Sequence, residues 1–107
     1  MAAIHADVRQ RALAATRTLA RLATLRAAYV FGSHANGRAD EWSDIDVAAF
    51  LDGIETWNLE RRAKAMALVM EEAGSDVEAH LFPASTFDKP EPGSFAADIL
   101  RHGIRIV

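Results

Sequence analysis

Four residues in the first half of the chain could do chemistry together. Gly32 and Ser33 close an apolar run, and Asp44 and Asp46 stand two residues apart at the start of a second one. Within a strand, residues two apart share a face, with α-carbons ~6.6 Å apart. At an effective dielectric of about 20, two carboxylates at that separation repel by roughly 2.5 kcal/mol. Ile45, Val47 and Ala48 beside them are apolar and offset nothing. A shared proton is one relief. A divalent ion is another, because carboxylate oxygens are hard ligands suited to Mg²⁺ or Mn²⁺. Two carboxylates leave most of an octahedral shell for water and phosphate oxygens.

An Asp-x-Asp pair alone equally describes an exposed strand start, with Asp44 capping a turn and Asp46 facing an arginine. The Gly-Ser pair shifts that balance. A strand that ends in Gly-Ser before a helix start offers backbone N–H groups and a hydroxyl to a phosphate. A Walker-type loop is excluded, because it needs Gly-Lys-Ser/Thr and no lysine precedes Lys64. The glycine spacing of a dinucleotide fingerprint is absent too. A phosphate grip beside a carboxylate pair suits transfer of a phosphoryl or nucleotidyl group.

The elements that must position these residues are legible from hydrophobic spacing. Ile4, Val8, Ala12, Ala15, Leu19 and Leu22 form one helical stripe, with Arg17 and Arg21 on its polar side. Ala27–Phe31 reads as a short buried strand ending at Gly32. Residues 32–43 read as a turn, a short helix and a loop. Asp44–Leu51 is a second strand. Leu59, Ala63, Met66, Met70 and Ala73 mark a helix over about Thr56–Ala73, stopped by Gly74. Asp76–Phe82 is a third strand, with Val77, Ala79 and Leu81 on one face and Asp76, Glu78 and His80 on the other. The segment Asp88–Ser94, with two prolines, reads as a loop. Ser94 caps a helix to about His102, with Phe95, Ile99 and Leu100 inward, and Ile104–Val107 makes a last short strand. This α-β-(α)-β-α-β-α-β order predicts an α/β fold, one sheet of about four strands with helices packed on it.

At 107 residues and 50% hydrophobic, the chain predicts one domain over residues 1–107 with a real core. It has no cysteine, so thiolate metal sites, disulfides and cysteine nucleophiles are excluded. No apolar run approaches the roughly 20 residues that cross a bilayer. No apolar signal region is present, so a cytoplasmic location is expected. The net charge of −3 argues against a nucleic-acid partner. Charge is unevenly placed, however: residues 1–38 carry six arginines and one acid, Asp7. That front could steer a nucleotide, or be a solvated helix face.

Gly32-Ser33, ten residues, then Asp44-Ile45-Asp46 resembles the signature of the nucleotidyltransferase superfamily typified by DNA polymerase beta. The chain is most similar to its stand-alone minimal nucleotidyltransferase branch. Ala35, Gly37, Ala39 and Ser43 agree as well, and "HLFPASTF" and "ILRHGIRIV" resemble the family's last strand, loop and helix. The resemblance implies the family's α+β fold, a mixed sheet with helices. It implies that Gly32 and Ser33, helped by Arg38 and Ser43, hold the phosphates of ATP or another NTP. It implies that Asp44 and Asp46 bind Mg²⁺, or Mn²⁺ in its place. A third carboxylate then completes the metal site and takes a proton from the acceptor hydroxyl. That position falls on Glu78, with Asp76 as the fallback; most relatives carry aspartate there. Asn36 stands where many relatives have arginine.

Aminoglycoside-modifying and polymerase-like relatives carry a second domain that binds the acceptor. The small members similar to this chain often pair with a helical partner of the HEPN type, as antitoxins. The resemblance thus implies transfer of AMP to a partner toxin protein, or, alternatively, a catalytically degenerate module that neutralises or scaffolds its partner. The alanine-rich helices leave a homodimer open. Trp42 and Trp57 could stack on a base, and each is more commonly a packing residue. His34 borders the Gly-Ser pair. His80, on the face of Glu78, could reach the site, and is more commonly a passive strand histidine.

Overall fold

The structure, a computed structural model, describes residues 4–107. Helix α1 (Ala6–Ala20) leads into strand β1 (Leu25–Phe31), the one-turn helix α2 (Ser33–Asn36) and strand β2 (Ile45–Leu51). A 3₁₀ turn at Ile54–Thr56 precedes helix α3 (Leu59–Ala73), which crosses to strand β3 (Val77–Pro83). Helices α4 (Ala84–Asp88) and α5 (Phe95–His102) and the short strand β4 (Ile104–Arg105) follow. Among the described residues this makes a four-stranded sheet in the order β3-β2-β1-β4. β1 is antiparallel to both β2 and β4, whereas β2 and β3 run parallel, joined by the α3 crossover. The sheet is therefore mixed, as expected.

Each face of the sheet has its own core. α1 and α3 cover one face, where Val8, Ala12, Ala15 and Leu19 meet Val47, Ala49, Val69, Val77 and Ala79. α4 and α5 cover the other, where Ala27, Ala48, Ala96 and Ile99 surround a fully buried Phe50. Phe50 stacks on Phe82 at 5.3 Å and meets Phe87 at 5.5 Å and Tyr29 edge-on at 6.1 Å. β2 is buried on both faces along almost its whole length, which explains its near-continuous apolar sequence.

The helix ends follow local chemistry. The Asn58 side chain accepts from the Arg61 N–H at 2.8 Å to start α3, and the Gly74 N–H donates to the Met70 carbonyl at its end. The Ser94 hydroxyl accepts from the Ala97 N–H to start α5. α3 therefore begins at Leu59 rather than Thr56, because Asn58 is the better cap and Ile54–Thr56 close as a 3₁₀ turn.

Three expectations on packing are corrected. Leu59, at 85% exposure, and Met70 face solvent; the inward line of α3 is Ala65, Val69 and Ala73 with Met66 beside it. Leu22 lies past the end of α1 and is exposed, since the helix stops at Ala20. Phe95, the first residue of α5, is more than half exposed, while Ala96 and Ile99 turn inward. The stretch after Pro83 also forms a short helix, α4, that no sequence feature marked.

Three of the six arginines of the first 38 residues are engaged in ion pairs. Arg11 pairs with Asp76, Arg21 makes a two-pronged contact with Glu72, and Arg26 does the same with Asp88. These pairs take Arg11, Arg21 and Arg26 out of a free anion-steering surface. No helix of the described residues is long and apolar enough to cross a membrane.

Candidate active site

β1 ends at Phe31, which pairs with Asp46 across the antiparallel ladder. The chain must turn immediately after it. Gly32 makes that turn with φ +76°, a conformation that side chains rarely adopt. A Cβ built on Gly32 would lie 2.8 Å from Asp46 Oδ2. The missing side chain is therefore the space into which Asp46 projects. Ser33 opens α2, and the Ala35 and Asn36 N–H groups donate to the Gly32 carbonyl.

The loop between α2 and β2 is tied to itself. The His34 ring nitrogen Nε2 lies 3.2 Å from the Ser43 carbonyl oxygen. The Ser43 hydroxyl accepts from the Asp40 N–H at 3.0 Å and donates to Asp40 Oδ1 at 3.2 Å. Ser43 thus shapes the approach to Asp44. Arg38 is exposed, and its N–H donates to the Ser33 carbonyl and the Asn36 side chain. Trp42 lies on this loop at 84% exposure and is not a packing residue. Trp57 is one: it is buried, with the Arg61 guanidinium 4.3 Å above its ring.

The parallel register sets Asp46 opposite Glu78 and Ala48 opposite His80. Asp46, Glu78 and His80 consequently stand on one face, the face of Phe31 and α5. Their ligand atoms all lie within 4.8 Å of one another, an arrangement that could hold a metal ion. His80 Nε2 is 3.2 Å from Asp46 Oδ1 and 3.8 Å from Glu78 Oε1. Asp46 and His80 are about one quarter exposed, Glu78 about half. Two ligands at right angles, each about 2.1 Å from one ion, stand roughly 3.0 Å apart. The cluster therefore needs only small side-chain movements to close on an ion. With the room left by Gly32, the donor set fits a divalent cation.

The structure does not bring every expected residue into that cluster. Asp44 immediately precedes β2, is exposed, and is outside the compact group. Asp76 is drawn away altogether. It precedes β3, where strand alternation has not begun, and Arg11 of α1 binds it on the opposite side of the sheet. Glu78 is the acid that shares a face with Asp46.

His80 is the residue that the structure adds to the expected acids. Its position two after Glu78 already placed it on the same face; the missing information was the register, which aims it at Asp46. Its ring packs edge-on against Phe31 at 4.8 Å and near Phe95 at 6.1 Å. Beside the cluster, a cleft of about 500 Å³ runs between Gly32, α2 and α5, with Phe31, Phe95, Asp98 and His102 along it.

A family model described as "Polymerase beta, Nucleotidyltransferase" matches residues 15–107. No curated protein matches the chain by sequence. Among solved structures, a candidate nucleotidyltransferase from Sulfolobus solfataricus is similar, with a TM-score of 0.54 and 22% identity over 78% of this chain and 76% of that one. A toxin–antitoxin complex crystallised with AMP-PNP contains a chain with a TM-score of 0.57 and 20% identity, over 87% of this chain and 70% of that one. At these identities the structural likeness concerns the fold.

Proposed function

Because the chain belongs to the polymerase beta nucleotidyltransferase family, we propose that it is a metal-dependent nucleotidyltransferase that moves AMP from ATP to an acceptor hydroxyl. The acceptor is carried by a partner protein, as in a toxin–antitoxin pair. The observation that carries this reading is the meeting of Asp46 and Glu78 across β2 and β3, beside the space left by Gly32.

Asp44, Asp46 and Glu78 would hold Mg²⁺ or Mn²⁺. The ion, when bound, stabilises negative charge on the α-phosphate and on the departing pyrophosphate. Gly32 and Ser33, at the end of β1, would hold the triphosphate, and Arg38 stands on the loop beyond them. Glu78 accepts the proton of the acceptor hydroxyl. The new bond joins that oxygen to the α-phosphorus, the bond to the β-phosphate oxygen breaks, and pyrophosphate leaves. Half-exposed Glu78 lies at the open edge strand of the sheet, where an acceptor delivered by another molecule can reach it.

Asp44 outside the compact cluster favours a second reading, a nucleotidyltransferase fold that binds its partner without chemistry. Labelled ATP, Mg²⁺ and the product of the neighbouring gene distinguish the two. Transfer of label that Asp44→Ala and Asp46→Ala abolish supports the enzyme. Partner binding without transfer, indifferent to both substitutions, supports the module.

A further inference from the structure

We propose that His80 is itself a metal ligand, and that Asp46, Glu78 and His80 form a mixed nitrogen–oxygen site selecting transition ions such as Mn²⁺ and Co²⁺ over Mg²⁺. This deepens the reading of the site as metal-dependent and rests on it.

The geometry carries the assignment. Nε2 of His80 faces both carboxylates, at 3.2 Å from Asp46 and 3.8 Å from Glu78. The first lies within the span between neighbouring ligands of one ion, roughly 3.0–3.4 Å for bonds of about 2.1 Å, and the second lies just beyond it. A histidine serving only to orient Asp46 has no need to lie against Glu78 as well. The imidazole is also preset. Phe31 packs edge-on against it at 4.8 Å and Phe95 lies at 6.1 Å, so apolar rings restrict its plane before any ion is present. Holding a ligand in place before the ion arrives lowers the entropic cost of binding.

The chemistry follows from the donor set. An all-carboxylate site favours hard ions such as Mg²⁺, which keep water and bind imidazole poorly. An imidazole nitrogen is a borderline donor, and it raises affinity for first-row transition ions along the series from Mn²⁺ through Co²⁺. His80 would thus change which ion occupies the site while Asp46 and Glu78 retain their places.

The test uses the free protein, without nucleotide or acceptor. Calorimetric titration with Mn²⁺, Co²⁺ and Mg²⁺ is compared for the unsubstituted chain and His80→Gln. Pulsed EPR of the Mn²⁺-loaded chain reads nitrogen directly bound to the ion. The expected result is Mn²⁺ affinity about tenfold or more above Mg²⁺. His80→Gln should lower Mn²⁺ affinity about 10- to 100-fold, leave Mg²⁺ affinity nearly unchanged and abolish the nitrogen coupling. Equal losses for both ions, or no nitrogen coupling in the unsubstituted chain, would overturn the proposal; the EPR measurement needs no variant to fold. AMP transfer with Mg²⁺ and no nitrogen coupling would defeat this proposal alone. Nitrogen-bound Mn²⁺ without any transfer would defeat only the enzymatic reading.

Discussion

The absent side chain of Gly32 and the carboxylate of Asp46 occupy the same space, since a Cβ on the one would stand 2.8 Å from Oδ2 of the other. The turn that ends β1 and the acid at the start of β2 are thus one structural unit. Gly32→Ala should add a strained backbone, costing about 1–3 kcal/mol, and push Asp46 out of the cluster. The expected outcome is loss of divalent-ion binding by calorimetry together with a lower thermal midpoint. Normal ion binding in a folded Gly32→Ala chain would contradict this coupling.

Glu78 is expected to take the proton during transfer. Glu78→Gln keeps its size and removes its basicity, so single-turnover AMP transfer should fall by about 10²- to 10⁴-fold. Glu78→Asp restores a base with a shorter reach and should recover part of that loss. Equal rates for Gln and Asp would assign Glu78 no proton-transfer role.

Glu72 joins α3 to α1. The Thr18 hydroxyl and the Arg21 guanidinium both donate to its carboxylate and hold its pKa below the ordinary value. A folded-state pKa below the unfolded one means that this contribution is full above the ordinary carboxylate pKa. It is lost as pH falls through the lowered value. Denaturant midpoints followed downward through the acid range should show a decline that Glu72→Gln makes shallower. Parallel acid limbs for the two chains would remove Glu72 from that role.

Phe50 anchors the face of the sheet that carries the site. It is fully buried among Tyr29, Phe82 and Phe87, so Phe50→Ala should cost about 3–5 kcal/mol. Chemical denaturation gives the value directly. A change below about 1 kcal/mol would mean that the aromatic cluster collapses onto the vacancy.

Local signals made much of this legible. β1 and β2 announce themselves as apolar runs bounded by Gly32 and Asp52-Gly53, and Ser94 and Gly74 mark helix ends by their capping chemistry. What resists reading is whatever depends on relative placement. Asp76, Glu78 and His80 alternate correctly on paper. Only the α1–sheet packing gives Asp76 to Arg11, and only the β2–β3 register aims His80 at Asp46. The outward Leu59 and Met70 share the cause: a helical stripe has a wide apolar arc, and tertiary contact chooses which part of it is buried.

The parallel pairing of β2 with β3 has a further consequence. Asp46 and His80 lie 34 residues apart in the chain, and all of α3 intervenes. Parallel strands cannot be joined by a tight turn, so these two side chains meet only after the crossover helix has docked. An ion gripping both would act as a clasp across the loop that contains α3. It would slow the opening of β3 from the sheet and bias the chain toward its folded form. Occupancy of such a site and the integrity of the sheet edge would thereby become a single equilibrium.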